Sequence, residues 1–466
     1  MSALDRVREM ATASGPKVVT AAHSAAATAG ASAFSAGGNA FDAALAACFM
    51  ETVALPMKAG LFGDLVALFR VGGGDFTSVV SVGAGPSALA KGAALERVGP
   101  RSVGVPGAPH GYARLHSFAR LGLERLVAPA VAASKQGLAW TRVARSYVVE
   151  AAATLARFSP GNPYAPNGRI PDIGEVRRLP GLGRLLEAFA CDRENVFEGP
   201  LGRDIVAELT RRGGILVAED FKQRPARQLA PVRGTVAAGA ELIVTPQPTY
   251  GYRLIDLVRE TLTGGEPLPQ LVRADRQCAS RQGRLATDDG TSVVAAADDE
   301  GNAVVILHSN SFPQFASGIV LDDGLILNNR PGRGFDLDAA PEAANAPRAG
   351  RVPPTTLHAW CLQADGKTLL GATPGGVNQL PWNAQTVTEL LAGAAPAMTV
   401  TSPRWSLDAN DVLAAEEGAA IGDVAIAKHL APLSLRSAQQ IIRLSDEGAH
   451  EAAADPRCGC VALAAF

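Results

Sequence analysis

Apolar and polar residues follow two rhythms along this chain, and each predicts a kind of element. KVVTAA (17–22) has the density of a buried strand. In AGASAFSAGGNAFDAALAACFMETVA, Ala, Leu and Phe recur every three or four residues, which predicts two helices broken at Gly37-Gly38. Asn39 is placed to cap the second helix, with Asp42 in its first turn, where a carboxylate complements the helix dipole. GDLVALFRVGGGDFTSVVSVG alternates like a hairpin around a Gly-rich turn. Residues 105–160 return to the helical period, and 159–200, rich in Pro, Gly and Asn, reads as irregular surface. GPLGRDIVAELTRRGG predicts a helix closed by a Gly pair, and AELIVTPQPTYGYRLIDLVRETL a strand, a Pro-rich turn and a helix.

The second half is richer in strands. From about 263 to 290 the chain is polar with little apolar periodicity, which predicts a mobile linker ending at Gly290. TSVVAAA and AVVILHS then form two strands joined by DDEGN, a tight turn with its chemistry at Gly301-Asn302. GIVLDDGLILNN reads as further strands, followed by a Pro/Arg loop at 341–354, strands in TLHAWCL and TLLGATPGG, and a helix from Asn383 to Leu391. No repeat of fixed period is present. Mixed strands and helices without βαβ alternation predict an α+β layered fold.

Composition narrows the function. With 466 residues, 47% hydrophobic, the chain can bury a large core. A net charge of −2 gives no footprint for nucleic acid or anionic lipid. The longest apolar stretch, FDAALAACFMETVALPM, carries Asp42 and Glu51 and is shorter than a membrane span. The first twenty residues contain no apolar signal core, so the expectation is a cytoplasmic protein. Six scattered cysteines read as unpaired thiols, because Cys458-Gly459-Cys460 lacks the second pair or the His of a zinc site. RVGGGDF lacks the Lys and helix of a phosphate loop, so neither a metal nor an organic cofactor is expected.

One position raises a chemical question. In DDGTSVVAAADDEGNAV, the hydroxyl of Thr291 opens a strand directly behind Gly290. A Thr there is ordinarily only a strand former. In a flexible loop, however, the Thr hydroxyl can attack the Gly290 carbonyl, and hydrolysis of the resulting ester splits the chain. Thr291 then owns a free α-amine, whose unperturbed pKa of about 7.7–8 suits it to serve as base for its own hydroxyl. In LLGATPGGVNQLPWNAQ, Gly375-Gly376 follows an apolar strand and precedes a helix, so two backbone N–H groups there can form an oxyanion hole. A plain Gly-Gly turn is the alternative.

The order of these and other segments resembles the γ-glutamyltranspeptidase family of N-terminal nucleophile hydrolases, over nearly the whole chain. The resemblance is carried by AGGNAFDAALAACFMETVA, SVGVPGAPHGYARL, TPQPTYGYRLIDLV, TSVVAAADDEGNAV, SGIVLDDGLILNNRPGRGF, TPGGVNQLPWNAQ, SPRWSL and AADPRCGCVALAAF, all in the family's order. It implies a four-layer αββα sandwich and autocleavage before Thr291. The products are a large subunit, 1–290, intertwined with a small subunit, 291–466, and their further oligomerisation is left open. It further implies that Ser309 and Asn310 support the amine of the nucleophile, that Thr355 and Thr356 contact the substrate head, and that Gly375 and Gly376 hold the oxyanion.

Two departures bear on the substrate. The family holds a γ-glutamyl α-carboxylate with an Arg in an RExAP segment, and the equivalent stretch here, SVGAGPSA, has none. Where an acid is expected after LNN, the chain carries Arg330 and Arg333, which read as candidate contacts for a substrate carboxylate or as solvated surface. The expectation is therefore an autoprocessed amidohydrolase or acyltransferase acting on a small-molecule amide. A true γ-glutamyl transferase or glutathione hydrolase, and an uncleaved scaffold, are the alternatives.

Overall fold

Strand Thr291–Ala297 lies inside a seven-stranded antiparallel sheet, hydrogen-bonded along both edges. A computed structural model describes residues 3–264, 266–281, 290–408, 410–445 and 447–466. On one side the strand pairs with Ala303–Ser309, and beyond it come Asp64–Arg70, Thr77–Ser81 and Ala226–Leu229. On the other it pairs with Lys17–Ala21, edged by Val461–Ala465. A second seven-stranded antiparallel sheet runs in the order Thr12–Gly15, His450–Ala454, Gln440–Leu444, Lys367–Ala372, Trp360–Ala364, Ala240–Val244 and Val232–Ala237.

Alternation along the strands sets the layers, since neighbouring residues face opposite sides of a sheet. Ile243, Cys361 and Ile442 join the core shared with the first sheet. Their neighbours Leu242, Val244, Trp360, Leu362 and Ile441 join a second core with Leu254 and Val258 of helix Gly251–Thr263 and Leu380 and Val387 of helix Gln379–Leu391. Helices Ser24–Ser35 and Ala40–Ala54 cover the outer face of the first sheet. The stacking is helix, sheet, sheet, helix: the expected α+β, αββα sandwich. A polar tie crosses between the sheets, where Gln440 donates to the Val293 carbonyl at 2.6 Å and accepts from Thr20 at 2.6 Å.

The first hairpin is anchored at its closed end. Asp298 accepts from the backbone N–H groups of Glu300 and Asn302 at 3.0 and 3.1 Å, and its other oxygen accepts from Ala40 N at 2.7 Å. One buried carboxylate thus shapes the turn and fixes the N-terminus of helix Ala40–Ala54 to it. Asn39 and Asp42 cap that helix reciprocally, as the sequence predicts.

Three stretches differ from their sequence reading. Within 159–200, residues Pro180–Asp192 form a helix that buries Leu182, Leu185, Leu186 and Phe189. Within the expected linker, Leu268–Arg281 is also a helix, with Leu268, Val272 and Arg276 buried; residues 282–289 lie outside the described residues. GIVLDDGLILNN is buried loop rather than a strand pair, meeting only at the bridge Val320–Ile326. Backbone bonds across the turn, Leu321 N to Leu325 O at 2.9 Å and Leu327 N to Ile319 O at 3.0 Å, are joined by hydroxyls: Ser159 accepts from Val320 N at 2.9 Å, and Ser317 donates to the Leu327 carbonyl at 2.6 Å.

Helix Gln379–Leu391 is fixed to its sheet by a neutral imidazole. Asn383 donates to His358 Nε2 at 2.8 Å and accepts from Trp360 Nε1 at 3.0 Å, while His358 Nδ1 donates to the Thr356 carbonyl at 2.7 Å. Burial lowers the His358 pKa from 6.5 to about 4, and the hydrogen bond to Thr356 offsets this only in part. The folded state therefore binds this proton less readily than the unfolded chain. Stability is full above pH 6.5 and declines as pH falls towards 4, by about 3 kcal/mol for this residue. His110, also lowered to about 4 by burial, adds to the same slope. Denaturant unfolding between pH 7 and 4 is expected to show that loss, with a shallower slope in His358→Gln. At pH 7, Asp298→Ala is expected to lower stability by about 3 kcal/mol, because it strips several buried donors of their acceptor.

Candidate functional site

Antiparallel register brings Thr291, the first residue of its strand, opposite Ser309, the last residue of the partner. Both are almost fully buried, and Thr291 Oγ1 donates to Ser309 Oγ at 3.2 Å. Ser309 Oγ in turn reaches the carbonyl of Gly290 at 3.4 Å and accepts from Ser311 N at 3.0 Å. A chain of hydroxyls therefore runs from the side chain of residue 291 to the carbonyl of the peptide bond in front of it. Gly290 has φ +98°, and a Cβ there would stand 2.4 Å from the Ser311 carbonyl oxygen, so only glycine fits. Ser311 itself, with φ +80°, holds a left-handed conformation that costs a non-glycine residue energy.

The opposite face of the same strands is locked by a buried network. His308, next to Ser309 but pointing the other way, bonds Glu51 at 2.7 Å through Nε2 and Tyr112 at 2.7 Å through Nδ1. Glu51 also accepts from Ala22 N at 2.7 Å. Burial, with Cys48 and Glu51 beside it, pushes the Tyr112 hydroxyl far up and keeps its proton in place. This network holds the hairpin on helix Ala40–Ala54 and fixes where Ser309 points.

Gly375 and Gly376 sit where strand Lys367–Ala372 turns into helix Gln379–Leu391. Their φ values are +137° and +57°, and a Cβ on Gly375 would meet the Trp382 ring at 2.3 Å. A three-residue 3-10 turn, Gly376–Asn378, joins the pair to that helix, and the Gly375 carbonyl accepts from Asn378 N at 3.0 Å. The turn reaches Thr291 through a residue the sequence reading passed over: Gln379 Nε2 lies 3.5 Å from Thr291 Oγ1. Gln379 is fully buried, and its Oε1 has no hydrogen-bond partner among the described residues. A buried acceptor left this way costs about 1–3 kcal/mol and calls for a reason. Its place in the first helical turn after Gly-Gly is the signal the sequence offered.

The same turn is clamped by the helix that precedes residue 282. Arg276, on Leu268–Arg281, donates to the Val377 carbonyl and to Asn378 Oδ1, each at 3.3 Å, and pairs with Asp411 at 3.2 Å. Burial lowers the Arg276 pKa, an effect opposed by Asp411.

Other predicted site residues meet different partners. Asn310 donates to the Pro56 carbonyl at 2.9 Å, and its N–H bonds the Lys58 carbonyl at 2.8 Å. It follows Ser309 at the strand end and ties down the loop at 56–58, while its Oδ1 has no hydrogen-bond partner among the described residues. Arg330 is no surface cation either. Fully buried, it pairs with Asp64 at 2.6 Å, whose other oxygen accepts from Gly83 N at 2.9 Å in the stretch that lacks the family's Arg. Arg333 is half-buried, donates to the Phe312 carbonyl at 3.0 Å and stacks its guanidinium 5.1 Å from the Phe312 ring centre. Thr355 and Thr356 are buried beside the 248–249 turn, where Thr355 N donates to the Pro248 carbonyl at 3.0 Å.

The six cysteines form no disulfide. Among the described residues there is no group of His, Cys, Asp and Glu able to hold a metal, and no helix is long and apolar enough to cross a membrane.

Comparison with known proteins gives the family. The glutathione hydrolase-like YwrD proenzyme of Bacillus subtilis (strain 168) is 26% identical over 84% of this chain and 84% of its own length. The oxamate amidohydrolase proenzyme of Klebsiella pneumoniae is 24% identical over 80% of this chain and 81% of its own. An acylase ACY 1 proenzyme of Pseudomonas sp. (strain V22) is 29% identical, but the match spans only 52% of this chain and 46% of that relative. The crystal structure of cephalosporin acylase from Bacillus halodurans superposes with a TM-score of 0.82 at 24% identity, covering 98% of this chain and 97% of that one, and shows the same fold. The family model for gamma-glutamyltranspeptidase matches residues 26–261 and 269–465, and the chain belongs to that family.

Proposed function

We propose that this chain is an autoprocessed amidohydrolase or acyltransferase whose nucleophile is Thr291. The observation that carries the reading is the hydroxyl chain from Thr291 through Ser309 to the Gly290 carbonyl, at the buried start of a central strand. In the first step Thr291 Oγ bonds to the Gly290 carbonyl carbon, the peptide C–N bond breaks, and the proton of the hydroxyl passes to the departing nitrogen. Water then hydrolyses the ester, leaving a carboxylate on Gly290 and a free amine on Thr291. Ser309 donates to the carbonyl oxygen as charge gathers on it.

In turnover the new amine takes the proton of Thr291 Oγ as the oxygen attacks a substrate amide, and hands it to the leaving amine. The N–H groups of Gly375 and Gly376 hold the oxyanion. Water or an acceptor amine then resolves the acyl-enzyme. Thr355 and Thr356 contact the substrate head, and Arg333, the more exposed of the two candidate cations, meets an acyl carboxylate. The missing Arg in SVGAGPSA and the engagement of Arg330 by Asp64 argue against a zwitterionic glutamyl head and for another acyl amide. The names of relatives as acylase, oxamate amidohydrolase and glutathione hydrolase-like proenzymes support an amide substrate and a cleaved precursor.

On a denaturing gel, purified protein is expected to run as two pieces, 1–290 and 291–466, and Thr291→Ala as one full-length band. A single band in the wild type is the outcome expected of a scaffold. Ser309→Ala is expected to slow cleavage by about 10²-fold, as loss of one preorganised donor does elsewhere, measured by following the precursor band after synthesis. Turnover of γ-glutamyl-p-nitroanilide at rates matching other amides would favour the γ-glutamyl transferase reading.

A further inference from the structure

We infer that Gln379 receives and tunes the amino group that cleavage creates on Thr291. This rests on the reading of Thr291 as an N-terminal nucleophile. Before cleavage the nitrogen of residue 291 is a peptide N–H with one donor. Afterwards it is an amine with two hydrogens, or an ammonium with three, at a buried position. Its new hydrogens need acceptors, and its basicity depends on which it finds.

Ser309 cannot be the main one. A hydroxyl oxygen has two lone pairs, and those of Ser309 are taken by Thr291 Oγ1 and Ser311 N. Gln379 has the missing capacity: its carboxamide lies against Thr291 Oγ1, its residue is fully buried, and its Oε1 is unpartnered. The two ends of a carboxamide exchange by a half-turn of the terminal bond, so the amide can donate to the hydroxyl in the precursor and accept from the amine in the product. The Gly375–Gly376 turn and the Arg276 clamp hold it in place. A neutral acceptor suits this position. It orients the amine without the strong stabilisation of the ammonium form that a carboxylate would bring, and so keeps the base unprotonated near neutral pH.

The test reads the amine directly and needs no substrate. Processed protein is treated with potassium cyanate across a pH series, and carbamylation of the Thr291 amine is read by mass spectrometry of the first peptide of the smaller piece. The midpoint reports the pKa of the amine. Gln379→Glu is expected to raise it by about 1–3 units, as a nearby opposite charge does, and Gln379→Met, of similar length but without an acceptor, to lower it. Midpoints unmoved in both variants overturn the inference, as does a shift produced by Ser311→Ala in their place. Variants that fold but stay uncleaved while the wild type cleaves also overturn it, because they put Gln379 in the cleavage step and not on the mature amine. An uncleaved wild type is a separate result, which removes the parent reading itself.

Discussion

The pairing of Thr291 with Ser309 is fixed from the far end of their hairpin, where Asp298 gathers the turn and the start of helix Ala40–Ala54 onto one carboxylate. A slip of one residue would turn every side chain of the strand to the other face, exchanging Ser309 for His308 opposite Thr291. The Glu51–His308–Tyr112 network makes that slip costlier still, since it would drag a buried imidazole from both of its partners. The position of one hydroxyl is thus determined by a turn at the other end of its strand and by a helix on the far side of its sheet.

Both sheets interleave strands from either side of residue 290. In the first, Thr291–Ala297 lies between Lys17–Ala21 and Ala303–Ser309; in the second, Thr12–Gly15 and Ala240–Val244 flank strands drawn from beyond 360. Breaking one peptide bond at 290–291 would leave the ladders in place, because neither piece owns a complete sheet. Arg276 adds a polar tie across the same divide, from the last described helix before residue 290 to the turn that carries the two glycines. The proposed N-terminal base at a buried position would need a new chain end of this kind in the middle of the fold.

Much of this was legible in the residues. The hairpin followed from period-two apolar runs around DDEGN, and the capped helix from Asn39 and Asp42, because these are local signals. Helix Pro180–Asp192 was hidden by the Pro and two Gly of its first turn, although Pro at a helix start is favourable. Helix Leu268–Arg281 was hidden because its apolar face is thin and much of its docking is done by Arg253 with Asp275 and by Arg276, which read as solvated charge. In GIVLDDGLILNN, apolar density marked burial, but the pairing is cut to a single bridge and a few backbone bonds, with the Ser159 and Ser317 hydroxyls serving other backbone groups. The site split the same way. Thr291, Gly290 and Ser309 share one hairpin and were readable together; Gln379, the burial of Arg330 and the turn of Asn310 towards Pro56 depend on tertiary approach, which spacing does not encode.

The central claim is that residue 291 becomes a chain terminus. N-terminal sequencing and intact mass of freshly purified protein test it most directly. The account predicts a second sequence beginning Thr-Ser-Val-Val and a smaller species with the mass of residues 291–466. A single species of full-length mass, beginning only at residue 1, would contradict it.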